Sequence, residues 1–176
     1  MKVSDIKSSS LVDCSSKLEE VAVVQNEFMR IAIQGGRDGL SHGEGGPFGT
    51  AIVKDGILVA SGHNRVLARL DPTCHGEVDA IRRACQRLGT FDLSGCELYT
   101  TGEPCHMCLC ACMWANISKI YYGCTIADNE MIGFRDNKFD QIFGGRDKLG
   151  DYMQEIDREA CLRLFEEYIG MDAAKY

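Results

Sequence analysis

Apolar runs such as Val21-Ala22-Val23-Val24 and Ile57-Leu58-Val59-Ala60 fall far short of the ~20 residues that a bilayer-spanning helix needs. A membrane partner is therefore not expected. The first ten residues, MKVSDIKSSS, lack the apolar stretch of a secretory signal, which makes a reducing, cytoplasmic setting the expectation. Basic excess is missing too. With 19 Lys and Arg against 26 Asp and Glu, the formal net charge is −7, which argues against a binder relying on general attraction to nucleic-acid phosphates and leaves room only for a local basic patch.

At 176 residues and 45% hydrophobic, the chain can bury a core without staples or a partner. Ten cysteines stand out: Cys14, Cys74, Cys85, Cys96, Cys105, Cys108, Cys110, Cys112, Cys124 and Cys161. Without an export signal, metal binding or plain burial of reduced thiols explains them better than a disulfide framework. Residues 1–17 are polar and Ser-rich and read as a loose extension, with a single domain over 18–176.

From Leu18, apolar residues Val21, Val24, Phe28 and Ile31 recur at helical spacing up to the glycines that begin at Gly35. Two β-type runs, Phe48 to Lys54 and Ile57 to Gly62, flank the turn dipeptide Asp55-Gly56 and predict a hairpin. A second helix is expected over His75 to Leu88, with Val78, Ile81, Ala84, Cys85 and Leu88 on its apolar face and Gly89 as its stop. Strands are expected over 96–101 and 118–123, with a helix between them that opens at Pro104. A short helix over 128–132, a polar connection over 133–150 and a periodic helix over 156–169, with Leu162, Phe165, Tyr168 and Ile169 as core stripe, complete the chain. The sum is an α/β domain with helices on both faces of a small sheet.

Two helix starts carry the chemistry. His75-Gly76-Glu77 opens the second helix, and Pro104-Cys105-His106-Met107-Cys108 opens the third. Cys105 and Cys108 stand three apart, so both sulfurs face one side, and the positive end of the helix dipole favours their thiolates. Two thiolates and the His75 imidazole hold Zn2+ with a fourth position left for water, which distinguishes a catalytic from a structural zinc. Glu77 lies beside that site without being a ligand and suits proton transfer during loss of an amine. H-x-E followed by P-C-x-x-C is the signature of zinc-dependent nucleobase deaminases. A redox Cys pair would leave His75 and Glu77 unexplained. A closed structural zinc with Cys110 or Cys112 as fourth ligand would leave Glu77 without a task. The remaining cysteines are expected as buried hydrophobes, and His42, His63 and His106 in surface or structural roles. The stretch Gly43 to Gly49 precedes a strand and contains Pro47, so it fits a close-packed loop bordering the site rather than a phosphate loop.

With Gly46-Pro47-Phe48-Gly49, Gly62-His63-Asn64 and Asp71-Pro72-Thr73 added in order, the sequence resembles the nucleobase branch of the cytidine-deaminase superfamily from about Asn26 onward. The resemblance implies a three-layer α/β/α fold with a central mixed sheet of about five strands. Trp114, the segment Ala127 to Phe134 and Tyr176 resemble guanine and guanosine deaminases in particular. That implies base contacts from Asn64, Phe48, Trp114 and Asp128, and a C-terminal Tyr176 completing the site, often in a swapped homodimer. The implied reaction is zinc-dependent hydrolysis of guanine to xanthine and ammonia, with guanosine or cytosine as alternatives, since Gly76 and the helix containing Cys161 also resemble cytosine deaminases. Resemblance to tRNA adenosine deaminases is confined to the zinc motifs. A small nucleobase or nucleoside is the expected partner.

Overall fold

The computed structural model describes residues 25–143 and 152–171, and the expected extension over 1–17 and the terminal Tyr176 lie outside them. The elements run α1 (Glu27–Ser41), β1 (Gly49–Lys54), β2 (Ile57–His63), α2 (Val66–Arg69), α3 (Gly76–Leu88), β3 (Cys96–Gly102), α4 (His106–Trp114), β4 (Lys119–Cys124), α5 (Ile126–Met131), α6 (Asp136–Phe143), β5 (Met153–Glu155) and α7 (Arg158–Gly170). The sheet order is β2-β1-β3-β4-β5. β1 is antiparallel to β2 and to β3, whereas β3-β4 and β4-β5 are parallel, so the sheet is mixed as expected.

Alternation along the strands divides the core into layers. Ile52, Leu98 and Ile120, which are neighbours in register, pack with Ala80, Ala84, Leu109 and Cys112 of α3 and α4 on one face. Ala51, Val53 and Tyr99 turn to the other face, against Phe28 and Ile31 of α1. Beside them α1 and α7 meet over Met29, Ile33, Leu164 and Phe165. The hairpin turns at Asp55 (φ 51°) and Gly56 (φ 72°), both left-handed, which matches the twist of two strands joined by a two-residue loop.

The structure moves several boundaries. α1 starts at Glu27, because the Asn26 side chain accepts the amides of Phe28 and Met29 and caps it there, while the expected start at Leu18 lies outside the described residues. It also runs through Gly35 to Ser41. A Cβ at Gly36 would lie 2.8 Å from Leu164 Cδ2, so here glycine serves close packing against α7 rather than a stop. On α3 the buried residues are Gly76, Glu77, Ala80 and Ala84, while Leu88 is exposed. The short side chains let α3 sit against Gly62 of β2, whose Cβ would meet Ala80 N at 2.6 Å. Ile169 is exposed, and the terminal helix buries Ala160, Cys161, Leu164, Phe165 and Tyr168 instead. Helix α6 occupies part of the stretch expected as a connection, and α2 and the three-residue β5 were not expected from the pattern. Among the described residues no helix is long and apolar enough to cross a membrane.

Candidate active site

His75 and Cys105 occupy the same position on two helices. Each is an N-cap with extended backbone, φ −71° and ψ 161° for His75 of α3, and φ −63° and ψ 170° for Cys105 of α4. Neither carries the oxygen with which Ser, Thr, Asp or Asn usually caps its own first turn. Their side chains instead converge with that of Cys108, and the ligand atoms of His75, Cys105 and Cys108 all lie within 4.8 Å of one another. The Sγ of Cys105 is 3.7 Å from Nδ1 of His75.

The electrostatics of this cluster suit a cation. A bond from Cys108 and the nearby imidazole outweigh burial and draw the Cys105 thiol down to about 4. Cys108, which donates to Cys105 and is buried, is pushed up, so the two sulfurs share a proton that a metal ion would displace. Burial opposes charge on His75, but its bond to Cys105 and the charges of Cys105, Glu77 and Asp136 raise it. One imidazole and two soft thiols within reach of one centre fit Zn2+. Cys112, the alternative fourth ligand, is outside this group; burial pushes its thiol up and it packs in the α3/α4 core. Among the described residues this set has three members, and three protein ligands would leave one position of a tetrahedral zinc open.

Glu77 faces the same cluster from the first turn of α3 and is 5% exposed. Burial pushes its carboxyl up to about 7. Gly76 between His75 and Glu77 has a local reason: a Cβ there would lie 2.9 Å from the Phe48 carbonyl oxygen and 3.0 Å from Thr50 Oγ1.

A cleft opens in front of the cluster, lined by Phe48 and Asn64 together with His75, Glu77 and Cys105. The expected substrate contacts Phe48 and Asn64 are thus brought to the metal ligands. The Phe48 ring meets Phe134 edge-on with centroids 4.7 Å apart, which gives the cleft an aromatic wall. Its remaining lining, Glu103, Asn129, Phe134 and Asp136, includes groups that the motif reading did not single out. Asn129 Nδ2 donates to Asp136 Oδ2 at 3.1 Å and to the Glu103 carbonyl at 3.5 Å, tying the start of α6 to the end of β3. The signal that could have exposed this wall is Thr125-x-x-Asp128, a capping box that fixes where α5 begins and which way Asn129 faces.

Two expected contacts lie apart from this cleft in the single chain. Asp128 does not line the cleft. Its carboxylate accepts from the Thr125 amide and hydroxyl, at 2.8 Å and 2.7 Å, and is bound by both terminal nitrogens of Arg158, Nη2 at 2.6 Å from Oδ1. Trp114 is 86% exposed and lines a separate groove with Phe91, Cys110, Met113 and Asn116. It closes α4 at the end opposite Cys105, and nine residues of helix rise separate the two by roughly 13 Å.

Residues 23–124 match the family model of the cytidine and deoxycytidylate deaminase zinc-binding region. Guanine deaminase of Bacillus subtilis (strain 168) is 46% identical over 110 residues, 62% of this chain and 70% of that protein. The X-ray structure of guanine deaminase from Bacillus subtilis superposes with a TM-score of 0.65 at 35% identity, covering 88% of this chain and 99% of that one. A tRNA-specific adenosine deaminase of Aquifex aeolicus is 42% identical over 95 residues, 54% of this chain and 62% of that protein. A structure solved in complex with 2,6-diaminopurine superposes with a TM-score of 0.72 at 29% identity, covering 85% of this chain and 83% of that one. Family match, sheet topology and the His-Cys-Cys cluster agree: the chain belongs to the cytidine and deoxycytidylate deaminase family built on this zinc-binding region and is a zinc-dependent aminohydrolase.

Proposed function

We propose that the protein is a hydrolytic deaminase of a free purine base, converting guanine and water to xanthine and ammonia. The observation that carries the reading is a buried carboxyl, Glu77, set beside a three-ligand cluster at the end of a cleft whose other walls are aromatic and amide-bearing. His75, Cys105 and Cys108 would hold the metal. Zinc so bound supplies Lewis acidity and brings the ionisation of water toward neutral pH. Glu77 takes the proton from the attacking water and returns it to the departing amine nitrogen, so that ammonia rather than an amide anion leaves. Phe48 and Phe134 give the planar ring an apolar surface. The Asn64 side chain, which accepts the Val66 amide on Oδ1 at 3.2 Å, lines the same cleft and offers an amide to the polar edge of the base.

Support for a purine comes from the relatives that deaminate guanine or were solved with 2,6-diaminopurine. A tRNA adenosine reading is favoured by the Aquifex relative, but a net charge of −7 gives no general attraction to a polyanion. The test is ammonia release from guanine, guanosine, cytosine and adenine, with zinc measured in the same preparation. Guanine turnover at about one zinc per chain, lost together with the zinc in Cys108→Ser, is expected. Turnover of cytosine or guanosine alone would replace the substrate, and salt-sensitive tRNA binding with adenosine turnover would replace the reading.

A further inference from the structure

Asn64 is 1% exposed and lies in the short connection between β2 and α2. The Asn64 backbone amide donates to the Phe48 carbonyl at 2.8 Å and the Arg65 backbone amide to the Cys74 carbonyl at 2.9 Å, bonds that fix the backbone of the connection. The side chains on either side of Asn64 are gripped by one residue of another loop. Glu44, between α1 and β1, accepts from Nε2 of His63 on one carboxylate oxygen and from Nη2 of Arg65, at 3.1 Å, on the other. These are the residues immediately before and after Asn64. The backbone carbonyl of Glu44 accepts the amides of Leu67 and Ala68, both at 3.1 Å, and its amide donates to the Gly39 carbonyl at 2.9 Å. The loop also wraps closely. A Cβ at Gly45 would lie 2.1 Å from Asn64 Oδ1, and one at Gly39, in the last turns of α1, 2.7 Å from the His63 ring. The His63 and Arg65 side chains are only 19% and 20% exposed, so these contacts are better shielded from water than surface ones.

We propose that Glu44 is a positioning residue for substrate binding, gripping His63 and Arg65 so that the Asn64 amide between them stays aimed into the cleft. The inference rests on the reading of Asn64 as a base contact. Glu44 is absent from the cleft lining and touches neither metal ligands nor Glu77, so its effect falls on binding rather than on proton transfer. Two carboxylate oxygens serving two donors explain why neither Asp, one methylene short, nor Ala would do. Gln, which keeps one acceptor oxygen, would keep half of the grip.

The test is a double-mutant cycle between Glu44 and Asn64 on the zinc-loaded enzyme, reading kcat and KM for guanine and the Kd of 2,6-diaminopurine. Glu44→Ala is expected to raise KM and Kd about tenfold with kcat within about twofold, and Glu44→Gln to raise them about threefold. In an Asn64→Ala background, Glu44→Ala should change neither, because coupled residues are non-additive. The same tenfold loss in both backgrounds, or a fall in kcat at constant KM, would overturn the positioning role. If Asn64→Ala alone leaves KM and Kd unchanged, the base contact itself is wrong and the inference falls with it. Urea midpoints guard against simple unfolding; should Glu44→Ala not fold, the cycle is read with Glu44→Gln, whose threefold effect must vanish in the Asn64→Ala background.

Discussion

Glu77 and Asp128 are buried to the same degree, each 5% exposed, and the fold shifts their carboxyls in opposite directions. Burial raises Glu77, whose neighbours are thiols and an imidazole rather than a guanidinium. Burial also works against charge on Asp128, but Arg158 and the Thr125 hydroxyl and amide outweigh it and keep the carboxylate below its ordinary range. Depth alone therefore does not decide the charge of a carboxyl; the partner does. The partner also separates their roles. Asp128 has both oxygens committed to holding α5 and α7 together, whereas Glu77 faces the cleft.

The sharpest break between the two is catalytic. Glu77→Gln keeps shape and removes the ionisable group, so kcat should fall by about 10²–10⁴-fold. Zinc content, read by mass spectrometry, should stay at the wild-type level. Turnover that survives this substitution would take proton transfer away from Glu77. Asp128→Asn in the same assay should leave kcat within about twofold, since its carboxylate does not face the cleft.

Stability should reverse that order. Asp128→Ala strands Arg158 and removes the N3 acid of the capping box, at a cost of about 3 kcal/mol measured by urea unfolding. That value is at the low end for a broken pair because Arg158 is 34% exposed and partly recovers water. A loss below about 1 kcal/mol would mean that Asp128 is not a structural anchor.

The ease with which these residues can be read from sequence follows the same division. His75, Glu77, Cys105 and Cys108 are legible because each motif is local: two or three residues fix the spacing, and a helix start fixes the direction. Phe48 and Asn64 were legible only through resemblance, and the structure does bring them to the metal cluster. Asp128 and Trp114 came by the same route and are placed elsewhere, since which way α5 presents its acid depends on Arg158, thirty residues on. Asn129 and Asp136 escaped for the converse reason. They meet across the break between α5 and α6, and the helix that carries Asp136 is short, with no long apolar stripe to announce it. In the fold, strand alternation and Gly89 located the sheet and the end of α3. The glycines of α1 misled because close packing against α7 and against the His63 ring, not backbone freedom, placed them there.

The Asp128–Arg158 pair also makes a prediction about acid. Because the carboxyl is depressed in the folded chain, the unfolded chain binds the proton first as pH falls. Its stabilising contribution is therefore full above about pH 4 to 5 and lost as pH drops through the lower folded value. In Arg158→Met only the Thr125 bonds remain to oppose burial, so that depression shrinks, and the fall in urea midpoint between about pH 5 and 3 should become shallower than in the wild type. An unchanged acid slope would assign the acid sensitivity to other carboxylates, of which Glu44, lowered chiefly by its bond to His63, is the first candidate.

The smallest effect is expected at Trp114, although it is the chain's sole tryptophan. At 86% exposure it has little apolar area to lose, so Trp114→Ala should change stability by no more than about 0.5 kcal/mol. Its place at the far end of α4 from Cys105 should likewise leave KM for guanine within about twofold. Trp114 shares its groove with Phe91, also largely exposed, and Met113, so its removal changes surface character rather than the cleft. A tenfold rise in KM would show that the indole reaches a cleft that its own chain does not offer it, which a dilution series separating monomer from dimer would then locate in a second copy.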